Sequence, residues 1–232
     1  MVDGSTVYLF RSWNGGGYNQ PGKDTLPDGS ITKPIDTTWA GRRHLYLTVS
    51  TDDGNTWSTP KDVTTTLPPQ NWSWDAVGPG IGIKLTTGEL VVPAQKRNLI
   101  GRGPTGNRTW TMQEVAGGGS QSTIAQTPDG GLYRNDRSPG KTYRKVARGT
   151  LSGFGTFSEG KGPPDPACEG SVLLYNHADS GPVRTIFINS ASQSSRRQMR
   201  VRISYNQDVA RWDFGRELVN AKVSGAGYEG GY

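Results

Sequence analysis

Arginine side chains recur in the loops and at the predicted strand ends of this sequence, and four of them fall within residues 196–204, R-R-Q-M-R-V-R-I-S. The guanidinium group is planar and always charged, and it can hold both oxygens of a carboxylate. The chain has a net charge of +6 and a pI of about 9.5. Such a surface suits either nucleic acid or a basic cleft for a small carboxylate-bearing sugar. A nucleic-acid module would interleave basic stripes with aromatic residues, whereas these arginines are scattered. Composition by itself does not choose between the two.

Other residue types that commonly do chemistry are sparse and well separated. Cys168 is the single cysteine, so the chain cannot form an internal disulfide. Neither His44 nor His177 lies near it in the sequence, and we expect Cys168 to be a small packed residue rather than a nucleophile. No H-x-x-x-H pair, cysteine cluster or EF-hand spacing occurs, so the sequence predicts no metal site and no cofactor.

The structural element that would position the arginines is indicated by residues 50–57, S-T-D-D-G-N-T-W, which match the complete Asp-box pattern S-x-D-x-G-x-T-W. An Asp and a Gly inside a tight hairpin supply a side-chain acceptor for backbone N–H groups and a residue that tolerates positive φ. The closing Trp57 is expected to pack the turn onto the body of the sheet. The alternative is an ordinary surface hairpin, but here every position of the pattern is filled in order.

Weaker copies of this motif follow at nearly regular intervals. The aromatic residues that close them are Trp57, Trp110, Phe157 and Trp212, which lie 53, 47 and 55 residues apart. A period near 50 residues, with several short strands in each period, is typical of the blades of a β-propeller. Coincidence among the seven tryptophans is the alternative.

Predicted hairpins supply the strands that such blades need. Apolar runs flank a T-T-G turn at 86–88 and a P-D-G-G turn at 128–131, and residues 199–204 place arginines on one face of a strand. Helix signals are nearly absent, so 232 glycine-rich residues predict one all-β domain. No apolar run reaches the length of a membrane span. Residues 1–4 lack the features of a secretory signal, so the chain is either cytoplasmic or lacks its signal. We favour a secreted or extracellular location.

Four further motifs follow the Asp-box along the chain. They are V-G-P-G-I-G-I-K-L at 77–85 with T-G-E-L-V-V-P after it, S-Q-S-T-I-A-Q-T-P-D-G-G-L-Y-R-N-D-R at 120–137, R-R-Q-M-R-V-R-I-S at 196–204, and a terminal G-A-G-Y. The ordered set resembles the catalytic domain of the sialidases (neuraminidases), which are six-bladed β-propellers. About four blades are recognisable. The resemblance therefore implies that residues 1–232 form a partial propeller, which lacks the first blade and the C-terminal closure. We expect further residues or another chain to complete it, because open sheet edges favour aggregation.

The resemblance implies an exo-acting glycosidase that releases terminal sialic (nonulosonic) acid from glycoconjugates with retention of configuration. In sialidases three arginines bind the carboxylate of the sugar. A tyrosine activated by a glutamate attacks the anomeric carbon, and an aspartate on a mobile loop is the general acid. A neutral tyrosine suits this substrate, because the charge of the sugar would repel a carboxylate nucleophile. We therefore expect a sialylated glycan as the partner, with no nucleic acid and no membrane span.

Five residues match the arginines and the nucleophile of the sialidases. Arg137 ends the N-x-R that follows the D-G turn and matches the second arginine. Arg196 opens R-x-x-M-x-V-R-x-S and matches the third arginine, with Arg197 as the alternative. Tyr228 in S-G-A-G-Y and Tyr232 in G-G-Y both fit the nucleophile, and we slightly favour Tyr232. Each of these residues could instead be an ordinary surface or strand-edge side chain.

One position departs from the sialidase pattern in a way that bears on catalysis. The activating glutamate lies about 16 residues before the second arginine, and here that position holds Gln121. Glutamine is nearly isosteric with glutamate but cannot accept a proton. Either this form is impaired, naturally or by engineering, or Glu114 or Glu169 supplies the carboxylate from elsewhere. We favour an isosteric replacement that preserves the shape of the pocket but impairs activation of the nucleophile.

The first arginine and the general acid have no match in the sequence, and Arg11 in L-F-R-S fits a later blade better than the first. Trp74 and Asp75, in W-S-W-D, are expected to line the pocket together with the long loop 13–41 and to contact an arm of the sugar. Two alternative functions remain open. One is a propeller that binds sialic acid without hydrolysing it, which Gln121 favours, and the other is a scaffold with no carbohydrate ligand.

Overall fold

The computed structural model describes residues 1–68, 71–73, 77–78, 80–138, 140, 142–158, 162–176 and 181–219. None of these residues is helical, so the described part of the chain holds no helix that could cross a membrane. In chain order the strands are β1 (Val2–Asp3), β2 (Thr6–Trp13), β3 (Tyr18–Asn19), β4 (Lys33–Pro34), β5 (His44–Ser50), β6 (Lys61–Asp62), β7 (Ile83–Lys84), β8 (Leu90–Ala94), β9 (Arg97–Arg102), β10 (Thr109–Glu114), β11 (Ser120–Gln126), β12 (Leu132–Arg137), β13 (Lys145–Thr150), β14 (Gly153–Phe154), β15 (Gly170–Tyr175), β16 (Arg184–Ser190), β17 (Met199–Ser204) and β18 (Phe214–Val219).

The strands form four four-stranded sheets. Sheet I has the order β1-β2-β5-β6, sheet II β7-β8-β9-β10, sheet III β11-β12-β13-β14 and sheet IV β15-β16-β17-β18. Between β2 and β5, the short strands β3 and β4 pair in parallel. The chain divides into two compact units, one of Met1–Val77 with Gly101–Met112 and the other of Gly78–Ile100 with Gln113–Tyr232. Four sheets of this size agree with the prediction that about four blades are visible.

The hairpin between β11 and β12 illustrates why consecutive strands pair. Asp129 Oδ1 accepts hydrogen bonds from the hydroxyl of Thr127 at 2.5 Å and from the backbone N–H of Gly131 at 3.1 Å, which closes the turn. Gly130 has φ +88°, a conformation that residues with a Cβ rarely adopt. The predicted P-D-G-G turn is therefore confirmed, and local residues alone account for it.

The Asp-box at 50–57 folds as a self-contained turn. The carboxylate of Asp52 accepts hydrogen bonds from the backbone N–H of Thr56 at 2.8 Å and from its hydroxyl at 2.6 Å. The hydroxyl of Ser50 accepts from the N–H of Gly54 at 2.9 Å. Trp57 behaves differently from the expectation: it is 44 % exposed, and its indole N–H donates to the carbonyl of Gly54 at 3.0 Å. It caps its own turn instead of packing onto the sheet.

The other three periodic aromatic residues do pack in apolar surroundings. In the first unit the ring of Trp110 lies edge-on to Tyr8 and Phe10, with ring centroids 5.6 and 4.7 Å apart. In the second unit Phe157 is buried among apolar residues, and Trp212 lies against Tyr133 and Phe187. At these three positions the periodic aromatic residue therefore packs against apolar or aromatic side chains of its unit.

Two of the apolar clusters in the second unit connect neighbouring sheets. One joins strands of sheets II and III and comprises Leu85, Val91, Ile100, Ile124 and Leu132. The other joins sheets III and IV and comprises Ala125, Tyr133, Val172, Phe187 and Val209. Because neighbouring sheets share these clusters, sheets III and IV hold their facing strands β11 and β15 in a defined arrangement.

Candidate active site

Gln121 lies at a β-bulge in β11. The pairing of β11 with β12 passes from Ser120 opposite Arg137 to Thr123 opposite Asn135, so one extra residue is inserted on the β11 side. Gln121 itself has φ +45°, in the left-handed region that disfavours residues other than glycine. Bulges re-aim side chains, and strained residues of this kind concentrate at functional sites. The bulge therefore supports a functional role for the side chain of Gln121.

The side chain of Gln121 reaches from sheet III to sheet IV. Its Nε2 donates a hydrogen bond of 3.2 Å to Oε1 of Glu169, which directly precedes β15 and is 6 % exposed. Close by, the N–H of Val172 donates to the hydroxyl of the buried Thr123 at 3.1 Å. Glu114, the other carboxylate considered from the sequence, is exposed at the end of β10, and the structure records no hydrogen bond between it and Gln121.

A buried arginine holds the backbones of both segments that carry this pair. Arg144 Nη2 donates to the carbonyl of Gln121 at 3.2 Å, and its Nη1 donates to the carbonyl of Cys168. Arg144 also lies 3.8 Å from the carboxylate of Asp165, and that carboxylate accepts from the N–H of Cys168 at 3.2 Å. Burial raises the pKa of Asp165, and the charge of Arg144 opposes this shift. Arg144 and Asp165 thus brace the two segments that carry Gln121 and Glu169.

Arg134, a second fully buried arginine, braces the other side of β11. Its guanidinium pairs with Asp136 at 3.0 Å and donates to the carbonyl of Ala94 and the hydroxyl of Ser122 at 2.6 and 2.7 Å. Asp136 in turn accepts from the N–H of Gly119 at 2.7 Å. Neither Arg134 nor Arg144 was singled out from the sequence, since both bind backbone carbonyls that leave no sequence signature.

Arg137 ends β12 and lies opposite Ser120, next to the bulge that carries Gln121. Its Nε is buried, and among the described residues it has no hydrogen-bond acceptor. A buried guanidinium nitrogen normally has an acceptor, because leaving it unsatisfied costs free energy. Within the described residues, Arg137 Nε therefore has room for one further acceptor.

The positive charge of Arg196, like that of Arg137, affects the pKa of Cys168. Burial raises the pKa of the Cys168 thiol, whereas the positive charges of Arg196, Arg137 and Arg144 oppose that shift. Arg196 lies three residues before β17, which is the strand predicted at 199–204. Cys168 itself is buried and free, as the sequence predicts for a packed residue.

Arg197, the alternative to Arg196, is engaged locally. Its Nε donates to the hydroxyl of Ser195 at 2.5 Å, and its backbone carbonyl accepts from Ser190 at 2.6 Å. Both interactions stay within the 190–198 segment, and Arg196 and Arg197 are both exposed. Of the two arginines, Arg196 is the one whose charge reaches Cys168.

Four of the predicted site residues lie outside the described residues. These are the two candidate nucleophiles, Tyr228 and Tyr232, and the two candidate pocket residues, Trp74 and Asp75. Their roles stay predictions. Within the described part of the chain no three His, Cys, Asp or Glu side chains are grouped as a metal site.

Arg11 lies in a different setting. A cavity of about 550 Å³ in the first unit is lined by Arg11, Ser12, Trp13 and Tyr46. The guanidinium carbon of Arg11 lies 5.5 Å from the centroid of the Tyr46 ring. Burial and the charge of Asp62 raise the pKa of Tyr46 above its ordinary value. Arg11 is thus part of sheet I, and its assignment to a later blade than the first stays a prediction.

Residues 8–228 match the model of a known family, the BNR repeat-like domain. The chain belongs to this family. As a BNR repeat-like domain it is 65% identical over 230 residues to an exo-alpha-sialidase of Aspergillus fumigatus, and this match covers 99% of the chain and 56% of the relative. It is 62% identical over 232 residues to an exo-alpha-sialidase of Arthroderma benhamiae, covering 100% of the chain and 56% of that relative. The BNR repeat-like chain therefore spans a little over half the length of these curated relatives.

Among solved structures the BNR repeat-like domain resembles the Hadza microbial sialidase Hz136, with a TM-score of 0.74 and 22% sequence identity. The match covers 93% of this chain and 43% of that structure. At this identity the likeness establishes the fold. The predicted fold class, an all-β propeller of the sialidase kind, is confirmed.

Proposed function

We propose that this domain forms part of a glycosidase site that binds a terminal sialic or other nonulosonic acid and releases it from a glycoconjugate. The observation that carries the proposal is that Arg137 ends β12 opposite Ser120, next to the bulge of Gln121, whose Nε2 donates to Glu169. The positive charges of Arg137 and Arg196 also both act to lower the pKa of Cys168, the residue before Glu169. Two guanidinium groups suit a ligand whose identifying group is a carboxylate.

The curated relatives support the same conclusion. Both are named exo-alpha-sialidase, and their identities of 65% and 62% extend over essentially the whole of this chain. Gln121 was the reason to consider a propeller that binds sialic acid without hydrolysing it. Glu169 weakens that reason, because a carboxylate lies within hydrogen-bond distance of the position where Gln121 lacks one. The hydrolase is therefore the better-supported function.

The resemblance to the sialidases supplies the roles within the site. Arg137 and Arg196 would hold the carboxylate of the sugar, and Tyr228 or Tyr232 would attack the anomeric carbon. Trp74 and Asp75 would contact the remainder of the ring. A neutral tyrosine is a suitable nucleophile, since the substrate carboxylate lies beside the reacting carbon.

Binding of the free sugar acid and of its methyl ester to the purified protein tests the carboxylate clamp. The protein should prefer the acid, and Arg137→Ala should weaken binding of the acid by at least about 30-fold with little change for the ester, since truncating one member of a buried charge pair costs about 2–5 kcal/mol. Arg148→Ala is the matched control, because Arg148 is exposed on β13. Equal affinities of Arg137→Ala and the unsubstituted protein for the acid would contradict the clamp.

Turnover is tested separately with an aryl sialoside whose phenol is released on hydrolysis. Release of the phenol together with free sialic acid is expected. Tight binding of the sugar acid without any release would instead identify a non-hydrolytic lectin-like domain.

A further inference from the structure

We propose that the cavity in the first unit, lined by Arg11, Ser12, Trp13 and Tyr46, is a second binding site that takes a ligand with a carboxylate carried on a six-membered ring. Its volume of about 550 Å³ lies within the range of about 300–1,000 Å³ that is usual for small-molecule sites. None of the residues that line it belongs to the set around Gln121. The inference therefore goes beyond the proposed glycosidase function and does not rest on it.

The pairing of β2 with β5 brings a cation and aromatic rings to one face of sheet I. Arg11 lies opposite Tyr46 and Trp13 lies opposite His44, and side chains two residues apart on a strand share a face. Tyr46 in turn lies opposite Asp62 of β6. One row across the sheet thus runs from a cation through an aromatic ring to a carboxylate, so the ring separates the two charges.

The guanidinium group of Arg11 is the charged donor of the cavity. Its carbon lies 5.5 Å from the centroid of the Tyr46 ring, and across the residues that the structure describes the side chain forms no ion pair and donates no hydrogen bond. Asp62 is engaged elsewhere, because it accepts from the backbone N–H of Thr64 at 2.9 Å and lies 3.7 Å from Nδ1 of His44. A guanidinium stacked on a ring keeps the N–H groups at its edge available, so Arg11 can hold both oxygens of a ligand carboxylate.

His44, which is 3 % exposed, fixes the aromatic part of the site. Its Nε2 lies 2.8 Å from the carbonyl oxygen of Trp39, and the rings of Trp13 and Trp39 lie edge-on to it, with centroids 5.5 and 4.4 Å away. The two indoles nevertheless remain 52 % and 57 % exposed. Trp57 is exposed to a similar degree, but it caps its own turn. Neighbouring aromatic side chains that are held in place yet open to solvent are typical of ligand sites, where they pack against a ring.

The cation and the aromatic surface together define the class of ligand. A cationic ligand would be repelled by Arg11, an inorganic anion would leave the indole surface uncovered, and an uncharged ring would not use the guanidinium group. A carboxylate on a six-membered ring satisfies both parts, since its oxygens match the guanidinium fork and its ring packs on the aromatic side chains. Two sources supply this chemistry, namely a sugar acid such as a glucuronide and an aromatic acid such as benzoate.

Binding can be followed through the indole N–H signals in ¹H–¹⁵N spectra of the whole chain, with Trp13→Phe and Trp57→Phe assigning the two signals that are compared. Methyl β-glucuronide and benzoate are titrated separately, with methyl β-glucoside and benzamide as their uncharged counterparts. We expect a saturable shift of the Trp13 signal with at least one of the acids and with neither uncharged compound, while the Trp57 signal stays in place. The acid that binds more tightly identifies the source of the ligand.

Arg11→Gln should weaken binding of that acid by about tenfold or more, because it removes the charged partner of the carboxylate. Arg102→Gln is the matched control, since Arg102 is also an exposed arginine of the first unit, and it should bind as the unsubstituted protein does. A Trp13 signal that neither acid moves, equal responses to the acids and to their uncharged counterparts, or an unchanged affinity of Arg11→Gln would each overturn the assignment. None of these measurements involves turnover of a sialoside, so this site and the proposed glycosidase function can fail independently.

Discussion

Gln121 and Glu169 are 48 residues apart in the chain, yet the amide nitrogen of the first donates to the carboxylate of the second at 3.2 Å. The bond joins β11 of sheet III to the residue before β15 of sheet IV. Cys168 directly precedes Glu169, and the charges of Arg137 and Arg196 act to lower the pKa of its thiol. A neutral amide and a carboxylate thus share the place where the family resemblance leads one to expect a single glutamate. The pair has consequences for stability that can be measured without any substrate.

The single change Gln121→Glu should make the stability of the protein strongly pH-dependent. It would place two carboxylates within hydrogen-bond distance, and such a pair retains one proton to a pH above that of an isolated carboxyl. The folded state of the variant would then bind more protons than the unfolded state, so its stability should fall as pH rises from about 4 towards neutrality. We expect a loss of about 1–3 kcal/mol relative to the unsubstituted protein at pH 7, shrinking at pH 4.

Urea unfolding at pH 4 and pH 7 provides the measurement for Gln121→Glu. Gln121→Met is the control, because it removes the same hydrogen bond without adding charge and should show a pH-independent difference. Equal pH dependence in the two variants would mean that the side chain at position 121 and the carboxylate of Glu169 do not approach each other as the structure places them.

Arg144 and Arg148 offer a second contrast, since Arg144 directly precedes β13 and Arg148 lies within that strand. Arg144 is fully buried and bridges the carbonyls of Gln121 and Cys168, whereas Arg148 and its partner Asp208 are about half exposed. Arg144→Leu should cost about 3–5 kcal/mol, because it leaves the buried Asp165 without its counter-charge. Arg148→Leu should cost less than about 1 kcal/mol. Chemical denaturation of both variants measures the difference, and similar losses would show that Arg144 is not a brace.

Local features of the fold could be predicted from the sequence because their causes are local. The strand predicted at 199–204 is observed as Met199–Ser204, and the P-D-G-G turn closes through Asp129 as its composition indicates. Alternating side chains and turn residues determine the structure of their immediate neighbours, so strands and turns can be predicted from a single sequence. The 50-residue period can be predicted in the same way, since it is the spacing between copies of one such local motif.

The parts of the candidate site that could not be predicted depend on long-range pairing. The bulge at Gln121 arises from the register between β11 and β12, and the brace by Arg144 depends on backbone carbonyls at positions 121 and 168. Glu169 could be named from the sequence only as one of two candidates, with Glu114. The choice between them needed the packing of sheet III against sheet IV, which no local pattern encodes.

The Asp-box carboxylate provides a pH-dependent prediction in the first unit. Hydrogen bonds from the hydroxyl and the backbone N–H of Thr56, and then from Ser50, lower the pKa of Asp52 to about 2. Because the folded-state pKa is below that of the unfolded chain, near 3.9, the carboxylate stabilises the turn above about pH 4. That stabilisation should be lost as pH falls through about 2. The stability difference between the unsubstituted protein and Asp52→Asn should therefore shrink over this interval.

The cause of the low pKa of Asp52 can be tested at its main donor. Thr56→Val removes the hydroxyl that contributes most, while the backbone N–H of residue 56 still donates. Carboxyl carbon shifts followed by NMR should place the titration midpoint of Asp52 near 2 in the unsubstituted protein and distinctly higher in Thr56→Val. Ser50→Ala removes a smaller contribution and should raise the midpoint less. A midpoint that is the same in all three proteins would show that the hydrogen bonds of the Asp-box do not control this ionisation, and that the turn is held by its backbone and by Trp57 alone.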